Sequence, residues 1–198
     1  MPAATEAIEG VFPEFAKRVG RYFAIDLARI NRGVPQILML GYNRNMEHIF
    51  EIVSYVGAKP LLFGMTETQA QSVVGHPLKT SVNNLGERNS QYELFSVRYS
   101  PQNGTLVEVG FSSAAKVTIH GLELFRQPEA FPKFLREDSC PYEYFGFVIL
   151  LDLGITLTGF HDNDPHQRAI TAFERGRWDH LKGKFKKLNE PARQPKHP

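Results

Sequence analysis

The residues best suited to chemistry fall in one six-residue run, HDNDPH, which holds His161, Asp162, Asp164 and His166. Imidazole nitrogens and carboxylate oxygens at that density can bind zinc or manganese, or His166 beside Asp164 can act as a base. The same composition also makes a turn, because Asp, Asn and Pro are turn formers and Asp164 can cap the next segment. No other ligand cluster in the sequence completes a closed metal site. Cys140, the single cysteine, sits in EDSCPY, where acidic neighbours disfavour a thiolate, so it reads as structural rather than nucleophilic. His76 and His120 adjoin a helix stop and a turn glycine and read as local structure. In ERGRWDH, Arg177 and Trp178 are the side-chain types most enriched at binding hot spots. These two, with Asp162 and Asp164, are the expected partner-binding residues; the plainer reading of Trp178 is a core or edge-covering side chain. No catalytic residue and no cofactor is expected. The alternative is a metal-dependent enzyme built on His161, Asp162, Asp164 and His166.

The elements that would position these residues begin with FGMTETQAQSVVGHP, residues 63–77. Thr66 and Gln69 have the spacing of a capping box, Gly75 tolerates positive φ past the last turn, and Pro77 forbids continuation. A helix of two to three turns cannot stand alone in water, so it must pack onto something. Ahead of it, MEHIFEIVSYVG alternates and is β-branched, which predicts a strand. Behind it, HPLKTSVNNLGERNS predicts a polar loop, and YELFSVRY–SPQNG–TLVEVGF predicts a hairpin. Phe95, Val97 and Tyr99 share one face of that hairpin's first strand; Thr105, Val107, Val109 and Phe111 share one face of the second. KVTIHGLELF predicts a short strand and a turn. QPEAFPKFLRED predicts a short helix with Phe131, Phe134 and Leu135 inward. YFGFVILLDLGITLTGF predicts two strands meeting at Asp152–Gly154, the first apolar on both faces and so central in its sheet. QRAITAFERGRW leans to a last strand. A further helix is expected over roughly residues 8–30, with Phe12, Phe15, Phe23 and Leu27 near helical spacing. The predicted fold is α+β: a curved antiparallel sheet with short helices packed on one face, plus the N-terminal helix.

Composition bounds the function. The 198-residue chain is 42% hydrophobic and 22% charged, ordinary globular values. One cysteine excludes an internal disulfide, and no run of eighteen apolar residues is present. The net charge of +2 hides a split. Residues 1–45 hold six basic and four acidic groups, and 182–198 hold six basic and one acidic. Of the 23 basic and 21 acidic groups in the chain, eleven and sixteen therefore remain in residues 46–181. An acidic middle argues against nucleic-acid binding, and no membrane partner is expected.

The helix and hairpin together carry a resemblance. Gly64, Met65, Thr66, Gly75 and Pro77, followed by Tyr92 and the strand from Gly104 to Phe111, resemble the small module of the β-lactamase-inhibitor-protein-like group, which includes small outer-membrane assembly lipoproteins. Ala70 stands where that pattern usually has valine. The lead-in YVGAKPLLFGMT is also similar to soluble bacterial proteins suggested as immunity proteins of polymorphic toxins. The resemblance implies a scaffold that presents a sheet or loops to another protein, and it implies no catalysis. The lipoprotein members carry a signal peptide and a lipidated cysteine, neither of which is found in these first residues, so a cytoplasmic role is expected over an envelope-assembly scaffold. The expected function is thus a protein-binding module, an immunity partner of a toxin whose domain is basic. Its organisation is an N-terminal appendage or over-extended start over 1–45, a functional domain over 46–181, and a basic disordered tail over 182–198.

Overall fold

The computed structural model describes residues 49–160 and 167–188. The helix expected over 8–30, the boundary drawn at Met46 and the His161–His166 run lie outside the described residues. The described chain is mostly strand with two short helices, an α+β arrangement in the broad sense.

The capped helix is where its punctuation puts it. α1 (Glu67–Val74) begins at Thr66, whose hydroxyl accepts from the Gln69 amide at 3.3 Å while the Gln69 side chain accepts from the Thr66 amide at 2.8 Å. It ends at Gly75, whose φ of 81° a side chain would resist. Ala70 and Val74 are buried against the main core. α2 (Ala130–Glu137) buries Ala130 and Phe134, with Phe131 and Leu135 packed against the same core, as its apolar spacing predicts.

The single expected sheet is in fact two. The smaller holds β1 (Ile49–Val53), β2 (Gly57–Lys59), β3 (Leu61–Leu62), β8 (Lys116–Ile119) and β9 (Leu122–Glu123) in the order β3-β2-β1-β8-β9. β1 and β8 are parallel, Phe50 facing Val117, so the sheet is mixed rather than antiparallel. The larger sheet has nine antiparallel strands. β4 (Lys79–Val82), β5 (Arg88–Gln91), β6 (Phe95–Tyr99) and β7 (Leu106–Ser112) form one meander. β10 (Tyr142–Tyr144), β11 (Phe147–Leu150) and β12 (Ile155–Thr158) form another, edged by β14 (Lys186–Lys187). β13 (Ala169–Phe173) lies between β12 and β7 and joins the two. β11 is buried throughout and paired on both sides, as its continuous apolar run predicts.

Three expectations are corrected. The polar loop 76–90 contains β4 and β5; it lacks alternation because β4 is exposed on both faces, and periodicity reports burial, not backbone pairing. In the hairpin, Phe95, Val97 and Tyr99 do face the core, but a register shift at Arg98/Tyr99 turns Leu106, not Val107, inward with Val109 and Phe111. Residues 182–188 are not a solvated tail. A 3-10 helix (Asp179–Lys184) buries Leu181, Phe185 packs on Tyr142, and the Leu188 amide donates to the Pro141 carbonyl at 2.9 Å. The lysines between these apolar residues mask their spacing.

Alternation along the strands divides the apolar residues into two cores. Val148, Leu150, Ile155, Leu157, Ile170 and Ala172 point to the main core, shared with Phe50, Ile52 and Val117 of the smaller sheet. Phe147, Ile149 and Phe173 point the other way and are covered by Trp178 and Leu181. The β1–β2 turn reaches into this second core. The Tyr55 hydroxyl donates to the Leu151 carbonyl, its ring meets Phe173 at 6.1 Å, and Arg175 lies over it at 4.0 Å.

The cap yields the first prediction. Thr66→Ala should lower stability by about 1 kcal/mol. The readout is a lower urea midpoint at unchanged slope, because the cap is lost without altering the surface exposed on unfolding.

Candidate functional site

Four charged side chains meet on the second face of the larger sheet. Arg98 on β6 and Glu108 on β7 are direct cross-strand partners, joined at 3.0 Å. Glu87 arrives from the β4–β5 loop and Arg177 from the segment after β13. Arg177 donates through Nε to Glu108 at 3.0 Å and through Nη1 to Glu87. Arg98 Nε stands 3.7 Å from Glu87, and Asn83 Nδ2 donates to the same carboxylate at 2.9 Å. Both glutamates are buried. Burial alone would raise the Glu87 pKa; the hydrogen bond and charge of Arg177, with Asn83 and Arg98, outweigh it and hold the carboxyl below its ordinary value. Burial opposes the Arg177 charge likewise, and the two glutamates overcome it, raising that pKa further. Two cations and two anions are matched in charge. The cluster is a clamp.

The clamp fixes the β4–β5 loop. Asn83 Oδ1 accepts from the Leu85 and Glu87 amides at 2.9 and 3.0 Å, and the Gly86 amide donates to the Asn83 carbonyl at 3.0 Å. Among the described residues, the strand held this way is one of the two open edges of the nine-stranded sheet. All of β4 is exposed, and Leu78, Val82 and Leu85 are 68%, 64% and 48% exposed. They are three of the seven large apolar side chains exposed among the described residues, so exposure concentrates on this edge. The Asn83 amide donates to the Glu87 carbonyl at 3.0 Å. Alternation along an antiparallel ladder then turns the Thr80 and Val82 amides outward, away from β5.

The residues singled out in the sequence occupy other places. Trp178 is 8% exposed and sits among Phe147, Phe173 and Phe185, so it is a core side chain rather than an open anchor. Arg177 is committed to the clamp. His161, Asp162, Asp164 and His166 lie outside the described residues, and among the described residues no three His, Cys, Asp or Glu side chains gather to hold a metal ion. Cys140 is half-buried in a loop tied by carboxylates: Asp138 accepts from the Cys140 and Asp152 amides at 3.0 and 2.8 Å, and Asp152 accepts from the Ser139 amide at 2.7 Å. Burial lifts Asp138 above the usual carboxylate range, and Ser139 holds Asp152 below it. Such divergence can mark an acid–base pair. Here both Asp138 oxygens are occupied by backbone amides, so the pair ties loops together. His76 approaches Gln71 at 3.1 Å and His120 approaches Glu137 at 3.1 Å.

The fold and its surface thus define a class: a two-sheet, β-rich protein whose distinctive features are an internal charge clamp and an open apolar edge. Compared with protein-family models, curated proteins and solved structures, the chain matches none.

The clamp gives the second prediction. Arg177→Met should cost about 3 kcal/mol at neutral pH, because it strands two buried carboxylates that Arg98 alone cannot neutralise. In the unmodified protein, the Glu87 contribution is complete above its ordinary value of 4.5 and is lost as pH falls through the lower folded value. In the variant the Arg177 hydrogen bond and charge no longer offset the burial of Glu87, whose carboxyl is pushed upward instead, so the cost should shrink on acidification. Urea melts at neutral and acid pH check both the size and the sign; a cost that grows on acidification would contradict the clamp.

Proposed function

We propose that this protein works by binding another protein through the β4 edge. The single observation that carries this is the open strand itself, exposed along its whole length and lined by Leu78, Val82 and Leu85. Natural sheets usually protect such an edge with short strands, charge or cover. Lys79 is the only charge on β4, and the strand leaves outward amides able to accept a partner's strand. The partner is a basic toxin domain that this chain neutralises as an immunity protein in the cytoplasm. That reading is supported by the Gly64–Phe111 motif and by the acidic excess of residues 46–181, which speeds encounter with a basic surface.

The test uses the tagged full chain, isolated from its own host, with its stoichiometric partner identified and purified. Val82→Pro removes an outward amide at an edge position where proline is tolerated. That variant and Leu78→Asp/Leu85→Asp should each weaken binding by about tenfold or more with little change in Tm. Co-expression with the partner should restore growth to cells that the partner alone inhibits. Unchanged affinity in both variants would refute the edge. A partner harmless to cells would refute the immunity role while leaving the edge intact.

A further inference from the structure

The opposite end of the nine-stranded sheet carries a different surface. β10 and β11 are joined by the two-residue turn Phe145–Gly146, closed by the Tyr144–Phe147 pair. Both turn residues have positive φ, 47° and 81°, as a type I′ turn requires. Asn-Gly is the favoured pair for that turn, and a bulky aromatic is a poor first residue. His120–Gly121 makes a comparable turn between β8 and β9, with φ of 50° and 77°, and the His120 ring is held by Glu137. Phe145 has no such reason. The residue is 58% exposed, the single aromatic among the exposed large apolar residues of the described chain, and its ring meets the Tyr144 ring edge-on at 4.6 Å. Among the described residues, the Tyr144 ring is the one aromatic contact that Phe145 makes.

The adjoining edge carries lysines and one carboxylate, Glu143. Phe185 packs on Tyr142 and Tyr144 at 5.6 and 5.7 Å, with Lys184 and Lys186 next to it in the chain. Lys186 and Lys187 form β14, the outermost strand on this side among the described residues; both are exposed, and Lys186 lies across the ladder from Glu143.

We propose that this edge docks on an anionic phospholipid surface, with Phe145 entering the acyl boundary, Tyr144 at the headgroup level, and Lys186 and Lys187 engaging the phosphates. A hairpin tip suits this task. Its backbone is paired up to the Tyr144–Phe147 step, so an apolar side chain enters lipid without bringing a row of unpaired strand amides. Aromatic rings favour the interface, and lysines near the surface add attraction to anionic lipid. Single-stranded nucleic acid would also suit a basic, aromatic edge, but it needs successive open ring faces. Here the Tyr142, Tyr144 and Phe185 rings are packed on one another, leaving one open ring. One wedge with a few lysines gives reversible attachment, not insertion, and no helix among the described residues is long and apolar enough to cross a membrane. The partner set expected from the sequence, which held no membrane, is extended by this surface.

Cosedimentation of the full chain with vesicles tests the proposal. Binding to phosphatidylcholine mixed with phosphatidylglycerol, and not to phosphatidylcholine alone, is expected. Lys186→Glu/Lys187→Glu should weaken it by about tenfold or more, since each lysine near an anionic surface contributes roughly fivefold. Phe145→Asn should also abolish most binding while leaving Tm equal or higher, because Asn suits the turn better than Phe. That combination separates a docking role from a structural one. A lowered Tm in Phe145→Asn, unchanged vesicle binding in either variant, or binding to single-stranded oligonucleotide in place of vesicles would overturn it.

Discussion

Two glutamates on a buried sheet face are a liability that only matched cations can remove, and much of this architecture depends on how they are matched. Arg98 is supplied locally, across one rung of the β6–β7 ladder. Arg177 must come from the far end of the described chain, so the segment after β13 has to fold back over the sheet to deliver it. That return brings Trp178 and Leu181 onto Phe147, Ile149 and Phe173 and closes the second core. The ion cluster and the apolar cover are therefore one event: neither forms unless the same short segment is laid down. An ion pair at a buried site is weak evidence of net stabilisation, but breaking one is costly. Here the clamp serves orientation, because it fixes the β4–β5 loop through Glu87 and Asn83.

The two sheets are coupled at a second place, where Tyr55 crosses from the β1–β2 turn to Leu151, Phe173 and Arg175. Gly154 makes room for it: a Cβ there would stand 3.1 Å from the Tyr55 ring, and its φ of 67° already favours glycine. The main core needs no such device. Phe50 from the smaller sheet lies 4.9 and 4.8 Å from Phe95 and Phe111 of the larger, and aromatic packing at that spacing sets the two layers against one another.

What was legible in the sequence was local. The T-x-x-Q box, Gly75 and Pro77 specify α1 by hydrogen bonds that span four residues, and Pro101 with Asn103-Gly104 specifies the β6–β7 hairpin in the same way. Partnerships between distant segments left no periodic trace. The parallel pairing of β1 with β8 joins residues as far apart as Ile49 and Lys116 and alters neither strand's pattern. β4 could not be read because its residues are exposed on both faces, and the register shift at Arg98/Tyr99 moved one residue of β7 out of the alternation. By residue type Trp178 suits an anchor as well as a core position; the ring spacing to Phe147, Phe173 and Phe185 places it in the core. Of the candidate surface, Leu78, Val82 and Leu85 were visible only as scattered apolar residues in a polar stretch, and Phe145 only as part of an aromatic run.

The strand order has a consequence for the nascent chain. β13 is the link between a four-stranded meander and a three-stranded one, yet among the described residues only β14 follows it in the chain. Until it emerges, β7 and β12 each present an unpaired edge, and β7 is buried along almost its whole length in the finished fold. Two sticky half-sheets therefore wait on one late segment, each able to join the wrong neighbour. A sheet built this way is most open to mispairing until residues 169–173 are laid between its two halves.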